Sequence, residues 1–565
     1  MKTLARFCTW VGAALLLLGV GLAQPTEPAP SSAIVELPTF EVTDSRLLPP
    51  PESWRYAEIP GFEILSNMSA SATRRFVDDF HLLQRVVREI MPGLTQGQVP
   101  VPTALILCGR GNSFDQFVPA DQAAGRFGKN SLFFQNPERA AIVVDFALAE
   151  LQIDNDTTEE SDPYRGFYLE YFRFLIRRQM DPPPPAWFEE GLVQIFGAMD
   201  FNRKWVTFAQ IGDGFGGEKI GDFNRRLAKR ALMPMKDLLE GTGRQQRGAF
   251  WSAQCYAFVH LCLYGMNKQF QKPFVTYLQR LSREPATEQL FKECFQKSYN
   301  QMALELRGYI EFTNYSAVQF TAKKGQELAK PPSIELVVAP DAVVGRLKGE
   351  VLRLAGHGVE ARNALIAPYV RGERDPRLLA ALGLDERTAG NDERARKFLE
   401  AAAKAKVDRA RAWQELGRLR LAAAKTKPGA ANGKLTSEQT ADVLTPLFNA
   451  RQRPPHLAEV YTLIAETWSA SINPPQRKHL EVVIEGVRLF PQDVQLLTQA
   501  TLLAAKRGFP AEARSLAEYG TRAPIPAADQ DRFRLILSAV ERDHPAPAPA
   551  GAVPITAGTP AAISP

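Results

Sequence analysis

The sequence predicts a chain in two parts: an α+β region with a small, mostly antiparallel sheet, followed by an all-α helical solenoid. Two observations indicate this order. In the first half, short apolar strands such as residues 103–108 alternate with segments whose apolar residues recur at helical spacing. In the second half, from about residue 339 to 541, nearly every segment has a helical pattern, and Gly349, Gly383 and Gly417 stand 34 residues apart.

The N-terminus has the pattern of a signal peptide over residues 1–23. Lys2 and Arg6 precede an apolar run over residues 11–22, which is shorter than the roughly 18 residues of a membrane span. Small residues at positions 21 and 23 precede the expected cut. No later stretch is apolar enough to cross a bilayer, so we expect a periplasmic or secreted bacterial protein without a membrane span.

Composition narrows the class of protein further. Hydrophobic residues make up 45% of the 565 residues, which is enough for ordinary cores. The formal net charge of +6 falls to +4 when the signal peptide removes Lys2 and Arg6, and the remaining charges are mixed along the chain. This pattern does not support nucleic-acid binding. Residues 24–53 form a Pro-rich arm that we expect to be extended, and residues 543–565 form a Pro- and Ala-rich tail that we expect to be disordered.

Four cysteines remain after signal removal: Cys108, Cys255, Cys262 and Cys294. Cys255 and Cys262 cannot pair if both lie on one helix, because seven residues span about 10 Å. We interpret the four as buried, unpaired thiols. One disulfide among the others is the alternative, so the pairing stays open at this point.

Between residues 54 and 325 the pattern alternates strands and helices. Residues 54–67 alternate around a Pro60-Gly61 turn, and the segment from Phe76 to Ile90 has helical spacing. Two further helices are predicted over residues 164–180 and 186–199, separated by a proline run that cannot continue a helix. The remaining strands are predicted at residues 103–108, 132–135 and 141–145.

Two segments within these last helices resemble a known family. The first reads Tyr168-Leu-Glu-Tyr-Phe-Arg-Phe-Leu-Ile, and the second reads Trp187-Phe-Glu-Glu-Gly-Leu-Val-Gln-Ile-Phe196. Together they resemble the active-site helices of gluzincin metallopeptidases of the peptidase MA-like group, which read H-E-x-x-H and then W-x-x-E-G-x-x-x-x-F. The similarity extends over roughly residues 54 to 315. It implies a zincin-like fold for the domain of residues 54–325.

The resemblance also implies a role for each site position. Leu169 and Arg173 occupy the positions of the two zinc-binding histidines, Glu170 occupies the general-base position, and Glu190 occupies the third-ligand position. Leucine has no lone pair and a guanidinium is always cationic, so neither can bind zinc. We therefore expect a degenerate domain with no bound metal, in which Glu170 is an inactive relic. The alternative is an active zinc-dependent gluzincin with unidentified replacement ligands.

Arg173 itself has a predicted role. With no zinc, Glu170 and Glu190 would repel each other, and a guanidinium between them would relieve this repulsion. We predict that Arg173 bridges to Glu190 and to Glu170. The alternative is a solvated Glu170–Arg173 pair on one helix and an acidic first-turn cap at Glu189 and Glu190 on the other. His260 is interpreted as a core histidine, because its neighbours in the sequence are apolar.

The second half resembles tetratricopeptide repeats in the 34-residue interval of its glycines. The best copy has Leu382-Gly383, Ala395, Leu399 and Ala402 at the small-residue and apolar positions of that family. Residues 425–438 are an insertion that breaks the register, and a further copy is predicted from Pro491 onward, with Ala504, Ala513 and Ala517 as packing positions. We predict that the three 34-residue glycines occupy equivalent close contacts between antiparallel helices.

These observations predict an exported, non-catalytic pseudo-metallopeptidase. It would bind or scaffold polypeptide partners through its relic cleft and its helical repeats, with no cofactor unless the zinc-dependent alternative holds. A purely structural helical annex is the alternative interpretation of the second half. The sequence identifies neither a binding residue for the partner nor the oligomeric state.

Overall fold

The computed structural model describes most of the chain between residues 36 and 543. The signal peptide, the expected cut after residue 23 and the tail after residue 543 lie outside the described residues, so those expectations stay predictions. Among the helices that the structure describes, none is long and apolar enough to cross a membrane. The described residues are 36–40, 48–95, 102–111, 113–120, 130–147, 163–179, 184–209, 227, 230–241, 248–282, 284–312, 318–430, 433–523 and 525–543.

Within the described residues, a six-stranded mixed sheet lies at the centre of the first half. The strand bounds are Arg55–Ile59 (β1), Phe62–Ser66 (β2), Thr103–Cys108 (β3), Ser131–Gln135 (β4), Ala140–Asp145 (β5) and Val337–Val338 (β9). The strand order is β4-β5-β3-β2-β1-β9. The strands β2, β3 and β5 are parallel, whereas β1, β9 and β4 pair antiparallel at the two sides.

The sheet is mixed: three of its five strand pairings are antiparallel, as predicted, whereas the two central pairings are parallel, and the connections explain why. Strands β1 and β2 are joined by a tight turn in which Gly61 has a φ of 83°, a conformation that favours glycine, so this pair is antiparallel. Strand β2 instead leads into a long helix, α1 (Ala70–Ile90), before β3. That helical crossover returns the chain in the same direction, so β2 and β3 are parallel.

Both faces of the sheet are buried, which explains why the central strands β3 and β5 are mainly apolar. Leu105 and Leu107 of β3 belong to the core that also contains residues of α1. Ile106 between them belongs to a second core, which contains Leu347 and Val351 from a helix of the second half of the chain. Alternate side chains of a strand point to opposite faces, so the two cores cover opposite sides of the sheet.

Helices cover the first of these faces and lead to a small second sheet. The helices are α2 (Pro163–Gln179), α3 (Ala186–Gly197), α4 (Met235–Glu240), α5 (Ala249–Tyr264), α6 (Gln271–Leu281), α7 (Glu288–Phe295) and α8 (Tyr299–Phe312), and the strands are β6 (Asp200–Phe201), β7 (Trp205–Phe208) and β8 (Val318–Thr321). The second sheet has the order β6-β7-β8, and its pairings are antiparallel. The sequence predicted a single, mostly antiparallel sheet.

The second half is a long run of paired helices, like a tetratricopeptide-like solenoid. The pair bounds are α9 (Asp341–Leu354) with α10 (Gly358–Val370), α11 (Pro376–Thr388) with α12 (Asp392–Lys404), α13 (Ala410–Thr426) with α14 (Ser437–Arg451), α15 (Ala458–Ala470) with α16 (Arg477–Leu489), and α17 (Val494–Lys506) with α18 (Pro510–Arg522). A final helix, α19 (Ala527–Asp543), follows the last pair.

The glycine prediction is confirmed. A Cβ atom added to Gly349 would lie 2.7 Å from Leu365 Cγ, and one added to Gly383 would lie 2.7 Å from Leu399 Cγ. At Gly417 the corresponding atom is Leu447 Cδ2, at 2.6 Å. Real Cβ atoms are not found at such distances, so only glycine lets the second helix of each pair approach this closely. The partner of Gly417 is displaced along the sequence because the insertion over residues 425–438 separates α13 from α14.

The last predicted repeat is also confirmed as a packed pair. Ala504 of α17 and Ala513 and Ala517 of α18 are fully buried. The sequence missed the pair α15–α16, where Gly486 takes the close-approach position against the ring of Tyr461. In that pair the glycine is on the second helix instead of the first, so a search for the 34-residue glycine interval does not detect it.

The chain divides into two compact units, residues 1–407 and 408–565. The first unit contains the sheets together with the pairs α9–α10 and α11–α12, and the second contains α13 to α19. The first helix of the array, α9, contributes Leu347 and Val351 to the core on the sheet. The start of the array therefore belongs to the same compact unit as the sheet, and the boundary between the units comes later in the chain. The domain boundaries expected from the sequence stay predictions.

Candidate functional site

The candidate site lies where α2 packs against α3, and two glycines of α3 set how closely this helix packs against its neighbours. A Cβ atom added to Gly197 of α3 would lie 2.3 Å from Leu169 Cδ2, so α3 ends against the Leu169 side chain. A Cβ atom added to Gly191 would lie 2.4 Å from Val259 Cγ2 of α5. Gly191, the glycine of the Trp187 to Phe196 segment, therefore allows α3 and α5 to pack closely where they cross.

Arg173 of α2 holds three carboxylates from both helices. Its Nε donates to Glu170 Oε2 at 3.0 Å, its Nη1 donates to Glu189 Oε1 at 2.8 Å, and its Nη2 donates to Glu190 Oε2 at 3.3 Å. The side chain of Arg173 is only 19% exposed and that of Glu190 10%. The predicted bridge from Arg173 to Glu190 and Glu170 is confirmed. The alternative of a solvated Glu170–Arg173 pair is wrong, because both side chains are mostly buried and Arg173 also contacts α3.

Glu189 is a member of this cluster that the sequence prediction left out. Arg177, one helical turn after Arg173, donates from Nε to Glu189 Oε2 at 2.8 Å and from Nη2 to Glu189 Oε1 at 2.9 Å. This two-point contact matches the planar fork of a guanidinium to a carboxylate. Glu189 lies in the first turn of α3, where the alternative interpretation placed it, but it is buried and both of its oxygens accept from guanidiniums. The spacing of Arg173 and Arg177 by four residues is the signal that could have identified the second contact.

Two amide and guanidinium side chains extend the cluster on the other side of Glu190. Gln194, one turn after Glu190 on α3, donates from Nε2 to Glu190 Oε1 at 2.9 Å. Arg165 of α2 donates from Nη2 to Gln194 Oε1 at 3.4 Å. We refer to the whole set as the Arg173 cluster; its members are Arg165, Glu170, Arg173, Arg177, Glu189, Glu190 and Gln194.

The carboxylates of the cluster have different electrostatic environments. Burial raises the pKa of Glu170 above its ordinary value, and the nearby charge of Arg173 does not offset it. Burial would raise the pKa of Glu189 as well, but the hydrogen bonds and charges of Arg177 and Arg173 outweigh burial, and its pKa is lowered. The pKa of Arg173 is raised, because the three carboxylates outweigh the desolvation of its guanidinium.

The donor set at this position does not fit a zinc ion. Leu169 packs against Gly197 and offers no lone pair, and the Arg173 guanidinium lies among the carboxylates that a cation would need. Within the part of the chain that the structure describes, no group of three or more His, Cys, Asp or Glu side chains is arranged to hold a metal ion.

His260 of α5 is a core histidine, as its apolar neighbours predicted. It is 1% exposed, its Nε2 lies 3.1 Å from the Ala209 carbonyl oxygen, and its Nδ1 lies 2.8 Å from Tyr309 Oη. The Ala209 oxygen can only accept, so Nε2 carries the proton and Nδ1 accepts from Tyr309. Burial lowers the pKa of His260 to about 4. Its two ring nitrogens are therefore engaged in the core.

The four cysteines that the structure describes do not form disulfides. Cys108, Cys255 and Cys262 are buried free thiols, which confirms the interpretation for these three, and Cys294 is free and partly exposed. Burial raises the pKa of Cys108 to about 12 and raises those of Cys255 and Cys262, so these thiols stay protonated at neutral pH. They are packing residues.

Comparison with known proteins adds little to this geometry. No protein-family model matches the chain, and no curated protein matches it. A crystal structure of a thermophilic TPR protein from Thermus thermophilus aligns with 35% of this chain and 96% of that chain, at 13% sequence identity and a TM-score of 0.25. A TM-score of 0.25 is too low to establish a shared fold. The assignment of tetratricopeptide-like pairs therefore rests on the glycine contacts of the helices.

Proposed function

We propose that this chain is an exported, non-catalytic protein that binds or scaffolds polypeptides and descends from a gluzincin-like metallopeptidase domain. The observation that carries the proposal is the position of Arg173. Its guanidinium contacts both Glu170 and Glu190, the two acidic residues that the family resemblance assigns to the general base and the third zinc ligand. Two unrelated helices are not expected to bring those particular residues onto one cation.

The chemistry of the cluster supports loss of catalysis. A general base must reach a metal-bound or free water, but Glu170 instead accepts a hydrogen bond from Arg173, which also contacts Glu189 and Glu190. Three carboxylates and three guanidiniums form one hydrogen-bonded chain through Gln194, so their charges balance without a metal ion. A balanced, enclosed network of this kind joins α2 to α3 and occupies the carboxylates that a metal ion would need.

The helical pairs support the binding part of the proposal. Stacked helix pairs bury their apolar faces against one another and leave extended surfaces on which polypeptides bind in many repeat proteins. Analogy at the level of the fold favours a protein partner over a small substrate. The direct test of the proposal concerns catalysis and metal.

The test is a comparison of wild-type protein with two double variants. We expect the untagged wild-type protein to contain less than stoichiometric zinc and to show no chelator-sensitive cleavage of an unfolded protein substrate. Leu169→His with Arg173→His should restore a zinc site that calorimetry detects, because two imidazoles four residues apart then face Glu190. Leu169→His with Arg177→His is the matched control, because it adds the same side chains at a spacing that cannot share the site.

Stoichiometric zinc with chelator-sensitive cleavage in the wild-type protein would reject the proposal in favour of an active metallopeptidase. Equal zinc binding by the two double variants would show instead that the two helices are not equivalent to gluzincin active-site helices.

A further inference from the structure

The described part of the N-terminal arm lies on the first two helical pairs. The ring of Phe40 is 5.6 Å from that of Tyr369 in α10, edge to face, and 5.9 Å from that of Phe398 in α12, stacked. The latter two rings lie 5.3 Å apart. The backbone is also held, because Tyr369 Oη donates to the Pro38 carbonyl oxygen at 2.7 Å. Phe40 therefore occupies an aromatic pocket between two neighbouring repeats.

Two arginines complete this pocket. The guanidinium carbon of Arg394 lies 4.4 Å from the centroid of the Phe40 ring, and that of Arg362 lies 5.9 Å from it. Arg362 is engaged with Glu386, to which its Nη2 donates at 2.7 Å. Arg394 Nε lies 3.5 Å from the same carboxylate as a loose ion pair, but its buried Nε and Nη2 make no hydrogen bond to any described residue. We refer to Arg362, Tyr369, Arg394 and Phe398 as the Phe40 pocket.

The pocket lies between the second helices of the first two pairs. The first helices of the two pairs face the sheet: Leu347 of α9 is in the core on the sheet, and Arg377 of α11 donates to Glu63 of β2 at 3.2 Å. The pocket is formed by the second helices, α10 and α12. The surface between the second helices therefore holds the segment that contains Pro38 and Phe40.

We propose that the Phe40 pocket is a polypeptide-binding site whose resident occupant is the chain's own arm. The partner is an extended peptide that, like residues 36–41, places a phenylalanine after a proline and next to a carboxylate. Tyr369 donates to the peptide backbone, the two rings and the guanidiniums contact the phenylalanine, and Nη2 of Arg394, which makes no hydrogen bond to a described residue, suits a carboxylate beside it. The inference rests on the proposed function, since it gives polypeptide binding a location.

Competition between the arm and the partner gives a measurable consequence. If the arm fills the pocket nine-tenths of the time, the apparent affinity for an external peptide falls about tenfold. The probe is a fluorescently labelled peptide of residues 34–45, and its polarisation is measured against the full mature chain. We expect the Phe40→Ala variant to bind this peptide about tenfold or more tightly than the wild-type chain does. A peptide with the same Phe40→Ala change should not bind.

The matched pair of pocket variants is Arg394→Glu and Arg396→Glu, each combined with Phe40→Ala. Both arginines are partly exposed residues of α12, but Arg396 pairs with Glu393 and Glu400. Arg394→Glu should abolish peptide binding, whereas Arg396→Glu should leave it within about twofold. Circular dichroism of both variants establishes that they fold.

Equal peptide binding by the wild-type chain and Phe40→Ala, or loss of binding in both pocket variants, would overturn the site. A wild-type dimer that becomes a monomer on Phe40→Ala would also overturn it, by showing that a second copy is the occupant. These outcomes are independent of the zinc and cleavage measurements. If the pocket does not bind the peptide, the proposed absence of catalysis is still tested separately.

Discussion

Two arginines join elements of the first compact unit, one of them partly buried and the other fully buried. Arg173 links α2 to α3 through three carboxylates and keeps 19% of its side chain exposed. Arg346 of α9 is 1% exposed and donates to both oxygens of Glu63 in β2, at 3.1 and 2.5 Å. In the first cluster one guanidinium contacts three carboxylates, whereas in the second one guanidinium contacts both oxygens of a single carboxylate.

The difference in burial determines what each arginine contributes to stability. Glu63 also accepts from Arg377 and from Tyr56, but Arg346 is the partner that contacts both of its oxygens. Glu189 by contrast keeps two bonds from Arg177 if Arg173 is lost. A buried charge is costly only when nothing compensates it, so redundancy in the Arg173 cluster should limit the effect of any one change.

The largest expected effect comes from Arg346→Ala. Removal of the guanidinium leaves Glu63 enclosed between the sheet and α9, and we expect the free energy of unfolding of the first unit to fall by about 3 to 5 kcal/mol. Urea unfolding followed by near-ultraviolet circular dichroism measures this change. The double variant Arg346→Met with Glu63→Leu should recover most of the loss, since it removes both charges. A loss below about 1 kcal/mol in the single variant would show that the pair is solvated.

The second prediction compares the pH response of the two sites through Glu63→Gln and Glu170→Gln. The pKa of Glu63 is about 2, because the charge and hydrogen bonds of Arg346 outweigh the burial that would raise it from 4.5. Its stabilisation is thus complete above pH 4.5 and is lost as the pH falls toward 2. We expect Glu63→Gln to cost about 3 kcal/mol at pH 7 and to remove that part of the acid sensitivity.

Glu170 should behave in the opposite way. Its pKa is raised in the folded chain, so its charged form disfavours folding at neutral pH, and this unfavourable contribution disappears as the pH falls through the folded pKa. Glu170→Gln should therefore be neutral or slightly stabilising at pH 7, within about 1 kcal/mol. The measurement is the urea midpoint of each variant from about pH 7 to about pH 3, the range in which carboxyl groups titrate. If both substitutions lower the free energy of unfolding by similar amounts at neutral pH, the proposed difference between Glu63 and Glu170 is wrong.

The last prediction compares two arginines of the Arg173 cluster. Arg173→Ala should lower the free energy of unfolding by about 2 to 3 kcal/mol, which is less than for Arg346 because Arg177 still neutralises Glu189. Arg177→Ala is the matched control on the same helix; its side chain is 36% exposed, so the loss should stay within about 1 kcal/mol. Equal losses for the two variants would mean that Arg173 has no special position between the carboxylates.

The bridge from Arg173 to Glu170 and Glu190 could be predicted from the sequence, whereas the Arg346–Glu63 pair could not. Glu170 and Arg173 are one turn apart on a helix, and the family resemblance identified Glu190 as their facing residue, so local periodicity and a short pattern were sufficient. Arg346 and Glu63 are separated by 283 residues, and nothing in either neighbourhood marks them as partners. Arg377 and Glu350, which extend this second cluster, were equally invisible for the same reason.

Local chemistry in the sequence determined the elements: the helices with their proline breaks, the hairpin at Gly61, and the glycines that only a close helix contact requires. These features depend on residues within one or two turns of each other, or on a repeated interval. The tertiary structure alone decided that the centre of the sheet is parallel, that α9 covers its second face, and that Phe40 lies between α10 and α12. Those outcomes depend on the burial of apolar surface between segments far apart in the chain. The hydrophobic effect is non-directional, so the sequence does not show which of these segments pack together.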